Sequence, residues 1–113
     1  MKYSSDTIWK TWSKGEIFAG NDPVFWRKDQ CGAWIFRGHY DNRNSEYGWV
    51  IGHIKPLSEG GTDDISNLCP LHWENNVRKA DGSNECHVTA EGVFNGRPIE
   101  HKIYTQDLSL INF

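Results

Sequence analysis

Large side chains alternate with smaller residues along one stretch of this 113-residue chain, between residues 47 and 53. The side chains that stand two apart are Tyr47, Trp49, Ile51 and His53. A period of two predicts a β-strand, here with a polar imidazole at its end. Pro56 and the Gly60-Gly61 pair interrupt the pattern, so we expect a loop of turns to follow the strand.

A second strand and a helix are predicted directly after this loop. Leu68 to Leu71 form a short apolar run, which is typical of a buried strand. The segment from His72 to Ala80 can be helical, and Gly82 suits the position just past a helix end. Residues 47–81 therefore predict a strand–loop–strand–helix unit, which is too small for a domain but large enough for a site.

Further elements are predicted on both sides of this unit. Ser5 to Lys14 has apolar residues at helical spacing behind Ser5 or Asp6 as a candidate cap, which predicts an N-terminal helix. Ala33 to Arg37 predicts a short strand. The segments after residue 82 predict two or three short strands, an Asn95-Gly96 tight turn and a final edge strand. The short strands come from Cys86 to Thr89, Val93 to Gly96 and Lys102 to Thr105, and the edge strand is Leu108 to Phe113.

Length and composition fit one soluble domain. At 13.0 kDa, with 37% hydrophobic and 24% charged residues, the chain is long enough to bury a core. The pattern predicts a small α+β domain over residues 1–113, with its central unit at about 47–81 and a C-terminal β extension at 82–113. No apolar run approaches the length of a membrane span, and a cytoplasmic location is expected.

The central unit resembles the HNH endonucleases, the ββα-metal nucleases. That family has an acidic residue and then a His at the end of the first strand, a Gly-Gly loop, an Asn opening the second strand, and a His or Asn on the helix. The matching motifs here are GHI, SNL and HWENN, and WRKDQCGAWI upstream also resembles a small bacterial and phage branch. The resemblance implies a ββα fold and a metal-dependent DNA endonuclease.

The resemblance also implies a role for three polar residues. His53 matches the general base, which takes a proton from the attacking water. Asn67 matches the middle Asn, whose amide braces the loop and holds His53 in place. Asn76 matches the metal ligand on the helix. Two of them have a purely structural alternative: His53 as a strand-end residue and Asn67 as an Asx turn.

One expected metal ligand is missing. The family pattern reads approximately GWEIDHI, whereas this chain reads GWVIGHI, so that Val50 and Gly52 stand where carboxylates are expected. Residues two apart on a strand share a face, and both losses therefore fall on one face. Glycine has no side chain with which to bind a metal, and Mg²⁺ normally takes at least one or two carboxylates.

His72 is a candidate for replacing the lost ligand. His72 and Asn76 are four apart on the predicted helix and therefore share a face. A set of His53, His72 and Asn76 would suit Zn²⁺, Mn²⁺ or Ni²⁺ better than Mg²⁺. The alternative places His72 on the packing face beside Leu68 and Leu71, with no metal role.

Charge and cysteine content limit what the chain can bind. The net charge of −3 is unusual for a DNA-binding protein, because phosphate contacts need Lys and Arg. Lys55, Arg78 and Lys79 are the candidate phosphate contacts within the motif. The three cysteines form no CxxC pair, so we expect free or buried thiols rather than a zinc ribbon or a disulfide. They are Cys31, Cys69 and Cys86.

Two functions of different class follow. The first is a DNA endonuclease that uses a divalent metal (Mg, Mn, Ni or Zn) with His53 as the base, and its partner is DNA. The second is a nuclease-derived binding protein without catalysis or metal, whose partner is a protein, for example a phage protein acting on a host defence nuclease complex. The retained His53, Asn67 and Asn76 favour the first, and the Gly52 replacement favours the second.

Overall fold

The computed structural model describes residues 3–80, 82 and 85–97, and these form an α+β fold, as predicted. The helices within these ranges are α1 (Ser5–Trp12) and α2 (Trp73–Ala80). The strands are β1 (Trp26–Lys28), β2 (Trp34–Phe36), β3 (Trp49–His53), β4 (Leu68–His72), β5 (Thr89–Glu91) and β6 (Phe94–Gly96). Each odd-numbered strand pairs antiparallel with the strand that follows it.

The β3–β4 pair and α2 form the predicted ββα unit. Trp49 lies opposite His72 at one end of the pair, and His53 lies opposite Leu68 at the other end. Alternation along β3 places Trp49 and Ile51 in a core with Trp12 of α1, while Gly52 faces Asn76 of α2. The two helices therefore cover opposite faces of the strand pair.

Helix α1 begins one residue earlier than its sequence suggests. Ser4 is the N-cap, and its hydroxyl accepts a hydrogen bond from the Thr7 backbone N–H at 3.1 Å. This contact satisfies one of the donors left open in the first helical turn. At the other end, Trp12 is fully buried against Trp49, with ring centroids 5.2 Å apart. The cap and this aromatic pair fix the helix over the core.

The turn of the C-terminal hairpin differs from the prediction. The chain reverses at Gly92, where φ is +63°, and Asn95-Gly96 lies within β6. The buried Asn95 side chain accepts from Trp34 N–H at 2.7 Å and donates to the Trp34 and Glu46 carbonyls. These long-range hydrogen bonds outweigh the local turn preference of an Asn-Gly pair. The predicted strands at 102–105 and 108–113 lie outside the described residues.

The expectation of three unpaired thiols is wrong for two of the cysteines. Cys31 and Cys86 form a disulfide across a separation of 55 residues, while Cys69 is free and buried. The sequence offers no local sign of this pair, because the two cysteines meet only when the segment after α2 packs beside β2. The disulfide thus ties the C-terminal hairpin to the rest of the fold.

Within the described ranges, no helix is long and apolar enough to cross a membrane.

Candidate active site

An open pocket of about 460 Å³ lies beside the end of β3 and the outer side of α2. His53, Asn76 and Lys79, all singled out from the sequence, line it together with Glu59 of the intervening loop. His53 comes from the strand and the other two come from α2, so the ββα unit itself assembles the pocket. The apolar part of its wall includes Ile51 and Leu57.

The His53 imidazole is held by a carboxylate that the sequence reading did not select. Its Nε2 lies 2.8 Å from Asp63 Oδ1, and the Tyr3 hydroxyl donates to the same oxygen at 2.8 Å. Hydrogen bonds from His53 and Tyr3 hold the pKa of Asp63 below its usual value. Burial and the hydrogen bond to Asp63 raise the pKa of Tyr3 to about 12. Tyr3 therefore stays a neutral donor over the physiological range.

Asn67 braces the loop between β3 and β4. Its Oδ1 accepts from Lys55 N–H at 2.8 Å, and its Nδ2 donates to the Lys55 carbonyl at 3.1 Å and to the Thr62 carbonyl at 2.8 Å. Its backbone carbonyl also accepts from Ile54 N–H at 2.8 Å. The Asn67 side chain thus joins Lys55, at the start of the loop, to Thr62, and its backbone bonds the residue directly after His53. These are the contacts that a bracing Asn requires.

Asn76 faces the position of the missing carboxylate. A Cβ added at Gly52 would lie 2.9 Å from Asn76 Oδ1 and 2.7 Å from Leu71 Cδ1. A metal ligand at position 52 of the strand and one at position 76 of the helix would therefore be neighbours in this fold. Here the amide and the leucine occupy that space, and an acidic residue at position 52 requires both side chain ends to move.

The three candidate phosphate contacts have different surroundings. Lys79 lines the pocket and its Nζ donates to the Ile54 carbonyl at 3.2 Å. The Lys55 Nζ lies over the loop glycines, 3.7 Å from where a Gly60 Cβ would be. Arg78 is one-third exposed and lies 4.0 Å from Glu85. Of the three, Lys79 is the one that lines the pocket with His53.

His72 lies away from the pocket, and the structure does not form the set of His53, His72 and Asn76. It is the last residue of β4 rather than part of α2, four positions along the strand pair from His53, or about 13 Å. It is fully buried, its Nδ1 accepts from Glu74 N–H at 3.1 Å, and its Nε2 donates to the Glu46 carbonyl at 2.7 Å. Both nitrogens are used, and burial lowers the pKa of His72.

Two polar residues that the sequence reading missed lie beneath α2. Asp29 is 2% exposed, and its carboxylate accepts from the backbone of Cys31, Ala33 and His72 and from the Asn75 amide. Asn75 also accepts from the backbone of residues 87 and 88. A single buried carboxylate and its amide partner therefore join β4, α2 and the segment before β5. Asp29 lies within WRKDQCGAWI and Asn75 within HWENN, but neither position carried a local signal of this role.

Residues 37–82 match the family model described as HNH endonuclease. This stretch contains the whole ββα unit, which is the part of the chain that is similar to HNH endonucleases. No curated protein and no solved structure matches the chain.

The donors of this pocket do not fit the divalent metal that HNH nucleases generally use. Gly52 supplies no ligand, and Asn76 supplies a neutral amide. Among the described residues, no three His, Cys, Asp or Glu side chains lie close enough together to hold a metal ion. A hard cation such as Mg²⁺ needs carboxylates in its shell. What the pocket does contain is an imidazole held by a carboxylate, beside an ammonium group.

Proposed function

We propose that this chain is an HNH-type nuclease domain that acts on DNA phosphodiesters with His53 as its general base. The observation that carries the proposal is the support around His53: Asp63 bonds its Nε2, and Asn67 braces the loop that follows it. A histidine that merely ends a strand does not need either support. DNA is the substrate on which HNH nucleases generally act.

The chemistry of the proposal uses groups of this chain. His53 takes a proton from a water whose oxygen attacks the phosphorus, while the P–O bond to the leaving sugar oxygen breaks and that oxygen takes a proton from solvent. Lys79, which lines the same pocket, is proposed to face the phosphate and to offset its negative charge. Lys55 and Arg78 are proposed to contact the neighbouring phosphates. Because the donor set lacks a carboxylate at position 52, no step is assigned to a metal.

The second candidate is a binding protein that keeps the HNH fold without cleavage. The observation that favours it is Gly52, whose missing side chain is replaced by the close packing of Leu71 and Asn76. Such a protein would occupy a nucleic-acid site or bind a partner protein through the same surface. Its predicted partner and cytoplasmic location stay predictions.

Plasmid nicking with Mg²⁺, Mn²⁺, Ni²⁺ and Zn²⁺ in turn separates the two functions. The native chain is compared with His53→Ala, with Gly52→Asp, and with His39→Ala as a matched control in which a histidine outside the pocket is removed. Native cleavage that disappears in His53→Ala but not in His39→Ala supports the nuclease. If only Gly52→Asp cleaves, the second function replaces the first.

A further inference from the structure

We propose that Asp63 and Tyr3 are positioning residues, which hold His53 in the one imidazole tautomer that leaves Nδ1 free to accept a proton. The proposal rests on the proposed role of His53 as a base. It adds two residues from outside the helix and strands of the motif: Asp63 lies in the β3–β4 loop, and Tyr3 precedes α1.

The tautomer follows from the chemistry of the contacts. The pKa of Asp63 is held low, so its carboxylate can only accept hydrogen bonds. The group 2.8 Å from Asp63 Oδ1 is His53 Nε2, and a neutral imidazole must therefore carry its proton on Nε2. Nδ1 then keeps its lone pair, which a general base requires.

Tyr3 holds the Asp63 carboxylate in place beside His53. Its hydroxyl donates to Asp63 Oδ1 at 2.8 Å and lies 3.4 Å from His53 Nε2. Because the pKa of Tyr3 is about 12, its phenol stays protonated and donates to the carboxylate. This hydrogen bond fixes the orientation of the carboxylate toward His53. Because Tyr3 also packs against the core with Ile8 and Tyr40, the hydroxyl is supported from the folded body of the protein.

The same geometry explains why the contact is specific to Asp63. Asp64 is the adjacent carboxylate, yet its backbone carbonyl accepts from Asn67 N–H at 2.7 Å and its backbone N–H donates to Thr62. It belongs to the turn that leads into β4. Asp64 is thus a matched control: it has the same side chain, on the same loop, and makes no contact with His53 among the described residues.

The primary test reads the tautomer directly by ¹⁵N NMR of the imidazole nitrogens, with the His53 signals assigned by comparison with His53→Gln. In the native chain we expect the neutral imidazole to be in the Nε2–H form. In Asp63→Asn we expect a mixture of tautomers, because an amide can either accept from or donate to Nε2. Tyr3→Phe should broaden the native pattern, while Asp64→Asn and Tyr47→Phe should leave it unchanged.

Kinetics supply the second readout, in whichever cation supports native cleavage. Loss of the tautomer in Asp63→Asn should lower kcat by about 10²–10⁴-fold, the usual contribution of a general base, with KM changed far less. Tyr3→Phe removes one hydrogen bond and should lower kcat by about 2- to 10-fold. Asp64→Asn should retain the native kcat.

The outcomes separate this inference from the proposed function. If the native chain does not cleave DNA but the tautomer changes in Asp63→Asn, the nuclease is overturned and the positioning contact stands. If the chain cleaves DNA while Asp63→Asn keeps both the native tautomer and the native kcat, the positioning role is overturned. An equal loss in Asp64→Asn would also overturn it, because the effect would then be that of loop charge.

Discussion

The two sides of α2 use the same residue types for different purposes. On the inner side, Asn75 is buried and holds Asp29 together with the backbone of residues 87 and 88. On the side that faces the open pocket, here called the outer side, its neighbour Asn76 lines the pocket with His53. The histidines divide in the same way, since His72 is buried with both nitrogens bonded and His53 lies at the pocket.

This difference shows that polarity alone does not mark a functional group. A buried amide or imidazole whose donors and acceptors are all used stabilises the fold and has nothing left for a ligand. A partly exposed one whose position is held by neighbours keeps an atom for chemistry. The inner residues should therefore control the free energy of unfolding, and the outer residues should control activity.

The largest expected effect is on the inner side, at Asn75. Replacing Asn75 with Ala removes four hydrogen bonds, and buried polar groups of Asp29 and Val88 then lose a partner. The free energy of unfolding should therefore fall by about 3–5 kcal/mol. Asn76→Ala is the matched control and should change it by about 0.5 kcal/mol or less. Urea unfolding at neutral pH measures both. Equal losses would remove the distinction between the two sides.

The disulfide provides the next largest effect, again on the inner side. Cys31 and Cys86 close a loop of 55 residues, and the double variant Cys31→Ser, Cys86→Ser should lose about 2–4 kcal/mol by the loop-entropy argument. Adding a reductant should destabilise the native chain by a similar amount and leave the double variant unchanged. A native chain that is insensitive to reductant would contradict the role of this bond.

Gly52 lies between the two sides, and its packing can be tested. A Cβ there would meet Leu71 Cδ1 at 2.7 Å and Asn76 Oδ1 at 2.9 Å. Because Leu71 is almost fully buried, Gly52→Ala should cost about 1–3 kcal/mol. Shortening the neighbour in the double variant Gly52→Ala, Leu71→Val should give a loss smaller than the sum of the single losses. Additive losses would mean that the two side chains do not compete for this space.

The sequence predicted the central unit well because its signals are local. Alternation marks β3, the short apolar run marks β4, and the glycine after residue 81 marks the end of α2. The ends of these elements agree with the prediction to within one residue, apart from the start of β3, which lies at Trp49 rather than Tyr47. The main misreading within this unit was His72, which was grouped with the helix although it ends the strand, and this assignment produced the unsupported metal set.

The contacts across the chain could not be predicted in this way. Tyr3 and Asp63 are 60 residues apart, and no spacing rule joins them. The Cys31–Cys86 pair and the role of Asn95 have the same cause, since each depends on how the C-terminal hairpin packs onto β2. Periodicity reports which face of an element is buried, but not which distant side chain meets it.

The smallest expected effect is a pH dependence that belongs to His72. Burial lowers the pKa of His72 below the value of about 6.5 that it has in the unfolded chain. Between these two pKa values the unfolded chain binds more protons than the folded one, so stability rises with pH across this window and is lost as the pH falls below about 6.5. The slope cannot exceed about 1.4 kcal/mol per pH unit for one group.

Urea midpoints of the native chain and of His72→Asn, measured at several values between pH 5 and 7.5 (about one unit on either side of the unfolded pKa), test this dependence. The variant will be less stable at every pH, so the quantity to compare is the slope of the free energy of unfolding against pH. The slope of the native chain should be steeper by up to about 1.4 kcal/mol per pH unit. Raising the salt concentration should leave the difference in slope largely intact, because its main cause is burial rather than screened surface charge. Identical slopes would show that the buried imidazole does not govern acid stability. The inner side of α2 would then differ from the outer side in hydrogen bonding alone.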